Sequence, residues 1–447
     1  MSTQLSLEHN DESSNSFSDS SSETHWNLSN DIEKQSDNKD ASSLSPSKEP
    51  SPPPNGGLIA WLQVLGGFFA YFNSWGIVNT FGTFQLYYSS GGLAGETNSS
   101  ISWIGSVQGL LVVSGSLFVG RLLDAGYVRP MLFAGTFLLS FGLMMTSLST
   151  EFYQVFLAQG ICLGLGSTLL FVSAVGTVGP YFSTKKALAV GFVSAGSSVG
   201  GVVYPIMVNK LIAEVGYPWA ARIFGFVVLV TNLVPCVLMK SRLPARKSGP
   251  LIDYVSLKDK VFVLYTFAMF FEFLAIYIPL FYISTYAAAQ GLNYELAFYV
   301  LPIMNAASIA GRLLPNLIAD RVGPFNIMAP CTIATAVLTF GWMGIFNEAS
   351  VIVFCILFGF FSGAFLSLFA VCIGSMTKDI TIVGTRLGMT LFVAGFGILI
   401  GTPIAGALIT IDFFYAKLFS AIAAALSALF VVLARFTLTG GQFLVKV

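Results

Sequence analysis

Residues 120–130 read GRLLDAGYVRP and residues 316–326 read NLIADRVGPFN, and these two stretches decide the fold. Each follows an apolar segment and places an aspartate, Asp124 or Asp320, just before a short turn. The two aspartates are 196 positions apart. A repeat with this offset indicates that the chain contains two copies of one structural unit.

Outward from these turns, apolar segments recur along the chain from Leu58 onward. The sequence is 55% hydrophobic and only 10% charged, which excludes a water-facing globule. A segment of roughly 20 residues can cross ~30 Å of hydrocarbon as a helix. We predict twelve spans, at 58–86, 101–121, 130–148, 152–176, 186–208, 219–239, 259–286, 296–319, 325–346, 350–375, 384–410 and 413–436. The predicted fold is an all-α membrane protein with twelve transmembrane helices in two six-helix pseudo-repeats.

This pattern divides the chain into five predicted parts. The segment 1–57 is rich in Ser, Asp, Glu, Asn and Pro and cannot bury enough apolar surface to fold, so we predict a disordered cytoplasmic tail without a cleaved signal peptide. Next come an N-terminal six-helix bundle (58–239), a cytoplasmic linker (240–258), a C-terminal six-helix bundle (259–436) and a cytoplasmic tail (437–447).

Charge predicts the orientation of the chain. Lys plus Arg and Asp plus Glu both number 22, so the whole chain offers no basic footprint for nucleic acid. Residues 1–57 contain ten acids and three lysines, which leaves 12 acids and 19 basic residues in the remainder. Fifteen of those 19 lie on the tail's side of the predicted spans. The positive-inside rule therefore places both termini in the cytoplasm. The plasma membrane is the expected location, with the vacuolar membrane as the alternative.

Residue types also limit the chemistry. Both histidines, His9 and His25, lie in the polar tail, so the predicted spans have no imidazole for a metal site or a catalytic triad. The sequence contains no Walker loop, metal cluster or nucleophile–base pair, and we expect neither an enzyme nor an ATP-driven pump. No cofactor and no metal are expected. The loop 87–100 contains the glycosylation sequon Asn98-Ser99-Ser100. The expected partners are a small organic solute, a proton as an option, and the lipid bilayer around a monomer.

Two charged residues lie deep inside predicted spans, where a charge is costly and therefore a functional candidate. Arg312 shares a helical face with Ser308 and Asn305 at spacings of four and seven, so this polar stripe is expected to face a cavity. The guanidinium could bind a carboxylate in a bidentate fork, or it could cap neighbouring carbonyls structurally. Glu272 could carry a proton during transport, or it could stay neutral and hydrogen-bonded.

The turn residues suggest a conformational role. Asp124 and Asp320 could accept hydrogen bonds from the N-terminal amides of the next helix or pair with a nearby arginine such as Arg321. We predict that these three residues form a gate on the cytoplasmic side. Matching glycines in two spans indicate close helix packing, which fits either sliding or static contacts. They are Gly191, Gly196, Gly200 and Gly201 in the fifth span, and Gly388, Gly395, Gly397 and Gly401 in the eleventh.

The same segments resemble the major facilitator superfamily, and more closely its fungal monocarboxylate-porter-like branch. The matching segments are GGLIAWLQVLGGFFAYFNSWGIVNTFGTFQLYY from Gly56, GRLLDAGYVRP from Gly120, KKALAVGFVSAGSSVGGVVYP from Lys185, YIPLFYISTYA from Tyr277 and NAASIAGRLLPNLIADRVGPFN from Asn305. The resemblance implies alternating access of a central cavity between two bundles, for small organic solutes and often with proton coupling. It also favours Asn79, within the family-like NTFG segment, as a cavity residue.

One departure from the family affects the expected mechanism. Animal monocarboxylate members have an acid one turn before the arginine that matches Arg312, and here that position is Ser308. We therefore expect a secondary active or facilitative transporter of a small, monocarboxylate-like organic solute, with proton coupling left open. The alternatives are an efflux transporter for a fungal secondary metabolite or xenobiotic, and a nutrient sensor that carries no flux.

Overall fold

The structure is a computed structural model. It describes residues 53–93, 95–242, 251–377, 379, 382–442 and 445–446, without the side chains of residues 294 and 295. All but the last five residues of the predicted tail 1–57 lie outside the described residues, as do residues 243–250 of the predicted linker.

The described residues form helices joined by short turns, with no strand. Ten helical stretches of the described residues are long and apolar enough to cross a membrane, and one of them, Lys186–Leu238, is divided at Gly216 into two spans. With the helix that begins at Gly57, which is not among the ten, this gives twelve. We number twelve membrane-spanning helices. They are α1 (Gly57–Asn79, continued by Phe81–Tyr87), α2 (Asn98–Asp124), α3 (Val128–Thr146), α4 (Phe152–Tyr181), α5 and α6 (the two parts of Lys186–Leu238), α7 (Lys260–Ala289), α8 (Tyr294–Val322), α9 (Pro324–Gly341), α10 (Glu348–Met376), α11 (Val383–Ile409) and α12 (Phe413–Thr439).

Helices α5 and α6 form one continuous stretch that reverses direction at Gly216. This glycine has φ 78° and ψ 162°, a backbone conformation that ends a right-handed helix. The hydroxyls of Tyr204 in α5 and Thr231 in α6 both donate to the Asn73 side-chain oxygen, at 2.6 and 2.9 Å. Two residues 27 positions apart thus meet at one level of α1. The stretch therefore supplies two spans that run in opposite directions.

The glycines of α5 divide between two faces. A Cβ at Gly196 would collide with the Phe68 carbonyl oxygen of α1, so this face packs inside the N-terminal half, which comprises α1 to α6. A Cβ at Gly201 would lie 2.5 Å from the Asn305 side chain of α8, in the C-terminal half, which comprises α7 to α12. One helix thus uses glycine both for packing within its half and for contact between halves.

Helix α11 repeats this division. A Cβ at Gly401 would collide with the Leu274 carbonyl oxygen of α7, within the C-terminal half. A Cβ at Gly388 would lie 2.9 Å from the Leu117 side chain of α2, in the N-terminal half. These glycines therefore bring two helix pairs together across the boundary between the halves, α5 with α8 and α2 with α11.

The linker is attached to the C-terminal half near the start of α7. We call the end of the molecule where α6 ends and α7 begins the linker face, and the other end the far face. Arg386 of α11 forms an ion pair with Asp259 at 3.1 Å and donates from Nε to Ser256 at 2.8 Å. Ser256 also donates to Asp253, and this hydrogen bond lowers the pKa of the Asp253 carboxyl. These contacts tie the second half of the linker to the first turn of α11.

Candidate functional site

A small cavity lies at the centre of the molecule, between the two halves. Its volume is about 20 Å³. Helices α1 and α4 line it from the N-terminal half, and α7, α8 and α10 line it from the C-terminal half. Its lining residues are Tyr71, Trp75, Asn79, Phe171, Phe273, Tyr277, Arg312, Leu366 and Phe369. The cavity is thus built mostly from rings, with one cation among them.

Arg312 is held in this cavity by neutral groups from both halves. Its Nε donates to Ser308 one turn earlier in α8, at 3.2 Å, and its Nη1 donates to the Ser194 carbonyl of α5, also at 3.2 Å. Ser198 of α5 donates to Ser308 at 3.1 Å. The serines orient the guanidinium, and the backbone of α5 takes only part of its donor capacity.

No carboxylate of the described residues lies within ion-pairing distance of Arg312. The side chain is nevertheless only 4% exposed. A buried cation without a paired anion is costly, since its lost hydration is only partly replaced. The arrangement can therefore bind an anion that reaches the cavity, because guanidinium donors remain for it.

The cavity wall contains an aromatic group that sequence reasoning did not identify. Tyr71 and Phe171 have ring centroids 5.5 Å apart, and Trp75 and Tyr277 have theirs 6.2 Å apart. A spacing of four residues puts Tyr71, Trp75 and Asn79 on one face of α1, and this spacing was the available signal.

The other predicted binding residues lie at different distances from the cavity. Asn79 lines it and makes a long hydrogen bond of 3.4 Å to the Ser197 carbonyl. Asn305 is buried against Gly201 and donates to the Leu301 carbonyl at 3.1 Å. It thus belongs to the contact between α5 and α8 and is not one of the residues that line the cavity.

Glu272 lies away from this site. The neighbouring Phe273 lines the cavity, whereas Glu272 is wholly buried where α7 packs on α12, with Ser427 of α12 as the polar side chain that faces it. Neither carboxyl oxygen meets hydrogen-bond geometry with a partner in the described residues. The structure therefore does not bring Glu272 and Arg312 together.

Toward the far face, the cavity is closed by contacts between the two halves. The rings of Phe81 in α1 and Phe281 in α7 have centroids 4.9 Å apart. The Tyr282 hydroxyl of α7 lies 3.3 Å from the Asn98 carbonyl of α2 and 3.2 Å from the Thr402 carbonyl of α11. The predicted glycosylation residue Asn98 is half-buried at this closure.

A larger space opens toward the linker face. This vestibule has a volume of about 250 Å³ and lies between α2, α4, α11 and the linker. Arg121, Asp124 and Arg242 are the ionisable residues that line it. Phe171 is the one residue of the described set that lines both the vestibule and the central cavity. Its ring therefore stands between the two spaces.

Replacing Phe171 should open the central cavity to the linker face. In a background without the five native cysteines, we expect Phe171→Ala to raise the labelling rate of Asn79→Cys by a membrane-impermeant thiol reagent about tenfold, equivalent to a barrier lower by about 1.4 kcal/mol. The reagent is applied from the linker face. Val175→Ala is the matched control, because Val175 lines only the vestibule. Equal labelling rates in all three proteins would count against this role of Phe171.

The predicted gate residues are placed differently from one another. The carboxyl group of Asp320, at the end of α8, faces the backbone amides of Ala187 and Leu188. These amides belong to the first turn of α5, in the other half, and not to the next helix as the sequence suggested. The end of α8 therefore lies over the start of α5, where the helix N-terminus favours a nearby carboxylate. Asp124 lines the vestibule, and Arg321 is exposed.

Asp320→Asn is expected to weaken the closure between α5 and α8 at the linker face. An anion at a helix N-terminus contributes about 0.3–1 kcal/mol, up to ~2 kcal/mol when partly buried. Spin labels at the exposed positions Lys185 and Val322 should therefore show a longer and broader distance distribution in the variant. Asp412→Asn is the matched control, because Asp412 caps only its own helix, α12. An unchanged distribution in Asp320→Asn would contradict the gate.

Comparisons with known proteins agree with this architecture. The family model of the Major Facilitator Superfamily matches residues 64–379. The chain is 44% identical to "MFS-type transporter dbaD" of Emericella nidulans over 80% of each chain. It is 38% identical to "Aspyridones efflux protein apdF" of the same fungus over 83% of this chain and 76% of the relative. It is 34% identical to "Agnestins efflux protein AgnL12" of Paecilomyces divaricatus over 86% and 88%.

Proposed function

Because the chain belongs to the Major Facilitator Superfamily, it is a multi-pass membrane transporter of a small solute, and we propose that it exports a small organic anion. The anion is of the secondary-metabolite class. The monocarboxylate-porter-like branch stays a prediction. The linker face is cytoplasmic in this proposal, with both termini on that side, since the basic residues concentrate there.

One observation carries the proposal: Arg312 is buried at the boundary between the halves, and no carboxylate of the described residues pairs with it. Its hydrogen bonds reach both Ser308 of α8 and the Ser194 carbonyl of α5. A solute anion bound there would touch a group held by both halves. Its binding would therefore favour some relative positions of the halves over others, as coupling of binding to alternating access requires.

The proposed direction and solute class rest on the relatives and on the cavity wall. Two similar proteins are named as efflux proteins, for aspyridones and for agnestins. The apolar, aromatic lining around Arg312 suits a larger and more apolar anion better than a short aliphatic acid. Import of a monocarboxylate is the second candidate, favoured by the family segments. A sensor without flux is the third.

Transport in sealed membranes tests the proposal. Inside-out and right-side-out vesicles that contain the chain are given an imposed pH gradient at two pH values, with lactate and a panel of aromatic and aliphatic acids. We expect accumulation of an apolar acid in inside-out vesicles and none with Arg312→Gln. Accumulation of lactate in right-side-out vesicles would instead identify an importer. No flux of any acid in either orientation would contradict transport of an organic anion.

Glu272 is proposed to carry the proton if export is coupled to one. A proton carrier between α7 and α12 would act on the packing of the C-terminal half, since Glu272 does not line the cavity. We expect Glu272→Gln to remove the pH dependence of transport while exchange of solute continues at near the original rate. Ser427→Ala is the matched control and should keep the pH dependence. Unchanged pH dependence in Glu272→Gln would exclude this role.

A further inference from the structure

Trp75 and Tyr277 face each other across the boundary between the two halves. Trp75 belongs to α1 and Tyr277 to α7, and their ring centroids lie 6.2 Å apart with the planes 23° from parallel. A flat ring held between two others needs a spacing of about 3.5 Å to each, and thus roughly 7 Å in all. The centroid distance of 6.2 Å is below this value, so a third ring can enter only after the halves separate at this level.

The hydroxyl of Tyr277 adds a second observation. The side chain is wholly buried and lines the central cavity, yet its oxygen has no hydrogen-bond partner among the described residues. A buried hydroxyl left in this state costs about 1–3 kcal/mol. Arg312 lines the same cavity and interacts electrostatically with the Tyr277 hydroxyl. A hydroxyl without a hydrogen-bond partner and a cation without a carboxylate partner among the described residues therefore stand beside the pair of facing rings.

We propose that the central cavity takes a flat, conjugated organic acid, whose ring system lies between Trp75 and Tyr277. The anionic oxygens of this acid accept hydrogen bonds from the Arg312 guanidinium and the Tyr277 hydroxyl. The inference rests on the proposed function in one respect, since it takes the central cavity as the place where the solute binds.

The rest of the cavity wall favours this class over others. Phe273, Leu366 and Phe369 are apolar and offer a polyol or a sugar no partners for its hydroxyls. A short aliphatic acid would satisfy Arg312 but would leave the facing rings without contact. A planar aromatic anion satisfies both Arg312 and the facing rings. Its ring faces stack on Trp75 and Tyr277, and the carboxylate at its edge accepts charge-assisted hydrogen bonds.

The small volume of the cavity also fits this reading. At about 20 Å³ it holds no such acid in the present conformation, because the rings themselves fill the space. The facing rings belong to different halves, so binding is coupled to their separation. We call the space between the rings of Trp75 and Tyr277 the slot. A solute bound in the slot would favour a conformation in which the two halves stand further apart at the level of these rings.

Three probes of similar size separate the contributions of ring and charge. They are 2-naphthoate, its saturated counterpart decahydro-2-naphthoate, and the neutral 2-naphthamide. Binding is measured by thermal stabilisation of the full chain purified in detergent. We expect a dissociation constant for 2-naphthoate about tenfold lower than for either other probe, because aromatic pairs contribute roughly 0.5–1.5 kcal/mol beyond burial and the anion adds its pairing with Arg312.

Substitutions of Trp75 and Tyr277 test whether the preference for the flat acid over the saturated acid arises between these two rings. Trp75→Phe should keep the ratio of 2-naphthoate to decahydro-2-naphthoate affinity, whereas Trp75→Leu should lower it about three- to tenfold. Tyr277→Phe keeps a ring and loses the hydroxyl, so it should weaken the binding of both acids more than the binding of the amide, because a hydrogen bond to a carboxylate is the stronger one. Phe267→Leu removes an exposed ring of the same helix, which packs on Phe430 and lies outside the cavity lining, and should leave the ratio unchanged.

Two results would overturn the inference. One is equal affinity for the flat and the saturated acid in the original protein, and the other is an absence of stabilisation by 2-naphthoate at millimolar concentration. Failure of the export proposal gives a different result. The vesicle experiments would then show import of the acid or no transport, while the purified protein would still bind the flat acid more tightly than the saturated one.

Discussion

Arg312→Gln is expected to lower the affinity for 2-naphthoate by at least about 100-fold, because hydrogen bonds to a charged group contribute about 1.5–3 kcal/mol each. The same variant should unfold at the same temperature as the original protein or at a higher one. The reason is that the change removes a buried charge which no carboxylate of the described residues compensates. Loss of binding together with retained or increased stability marks a residue kept for function.

Arg312→Lys refines this prediction. Lysine keeps the charge but presents a single ammonium group, so it cannot reproduce the fork that reaches Ser308 and the Ser194 carbonyl. We expect an affinity between those of the original protein and Arg312→Gln. Ser308→Ala is the control for orientation, since it removes the Nε partner and leaves the guanidinium.

A different outcome would support the structural alternative for this arginine. If Arg312 mainly caps the carbonyl of Ser194, then Arg312→Gln should lower the unfolding temperature and leave the affinity for the probe unchanged. Measuring both quantities on the same preparations separates the two roles, whichever way the result falls.

Gly359→Ala is expected to destabilise the C-terminal half strongly. A Cβ on Gly359 of α10 would collide with the Met304 carbonyl oxygen of α8, and a backbone atom cannot rotate away as a side chain can. Overpacking costs about 1–3 kcal/mol, and a contact with backbone should reach the upper end of this range or prevent folding. The measurements are the yield of folded protein and its unfolding temperature in detergent.

The same helix offers a matched control for this prediction. Gly374 is also in α10, but a Cβ there would meet nothing within 4 Å. Gly374→Ala should leave the unfolding temperature unchanged or raise it, because alanine is favoured over glycine in a helix interior by about 0.8–1.0 kcal/mol. Equal effects of the two substitutions would show that close approach of α8 and α10 is not what Gly359 provides.

Two features of the site could be read from particular residues of the sequence. Arg312 was singled out because a charge in an apolar span is costly, and Asn79 because of the segment around it; both line the central cavity. Asp320 was singled out from its place in a repeated turn. The backbone amides that its carboxyl group faces could not be predicted, because Ala187 and Leu188 lie in the other half and no local pattern connects them to Asp320.

Other features needed the three-dimensional arrangement. The chain contains 41 phenylalanines, and nothing in their spacing distinguishes Phe171, which separates two cavities, from those that only pack. Glu272 and Phe273 are adjacent in sequence, but helix rotation directs one toward α12 and the other toward the cavity. A rotation of this kind is set by the packing of α7 against its neighbours and not by its own residues.

The sequence alone determined that this chain is a membrane protein of twelve helices in two related halves. Its long apolar segments can satisfy their backbone hydrogen bonds in lipid only as helices, and the repeated turn relates the halves. Only the tertiary structure decided that Arg312 meets rings from both halves and lacks a carboxylate partner within the described residues. The physical reason is that lipid and protein interior are equally apolar, so hydrophobicity selects the spans without specifying which faces of the helices meet.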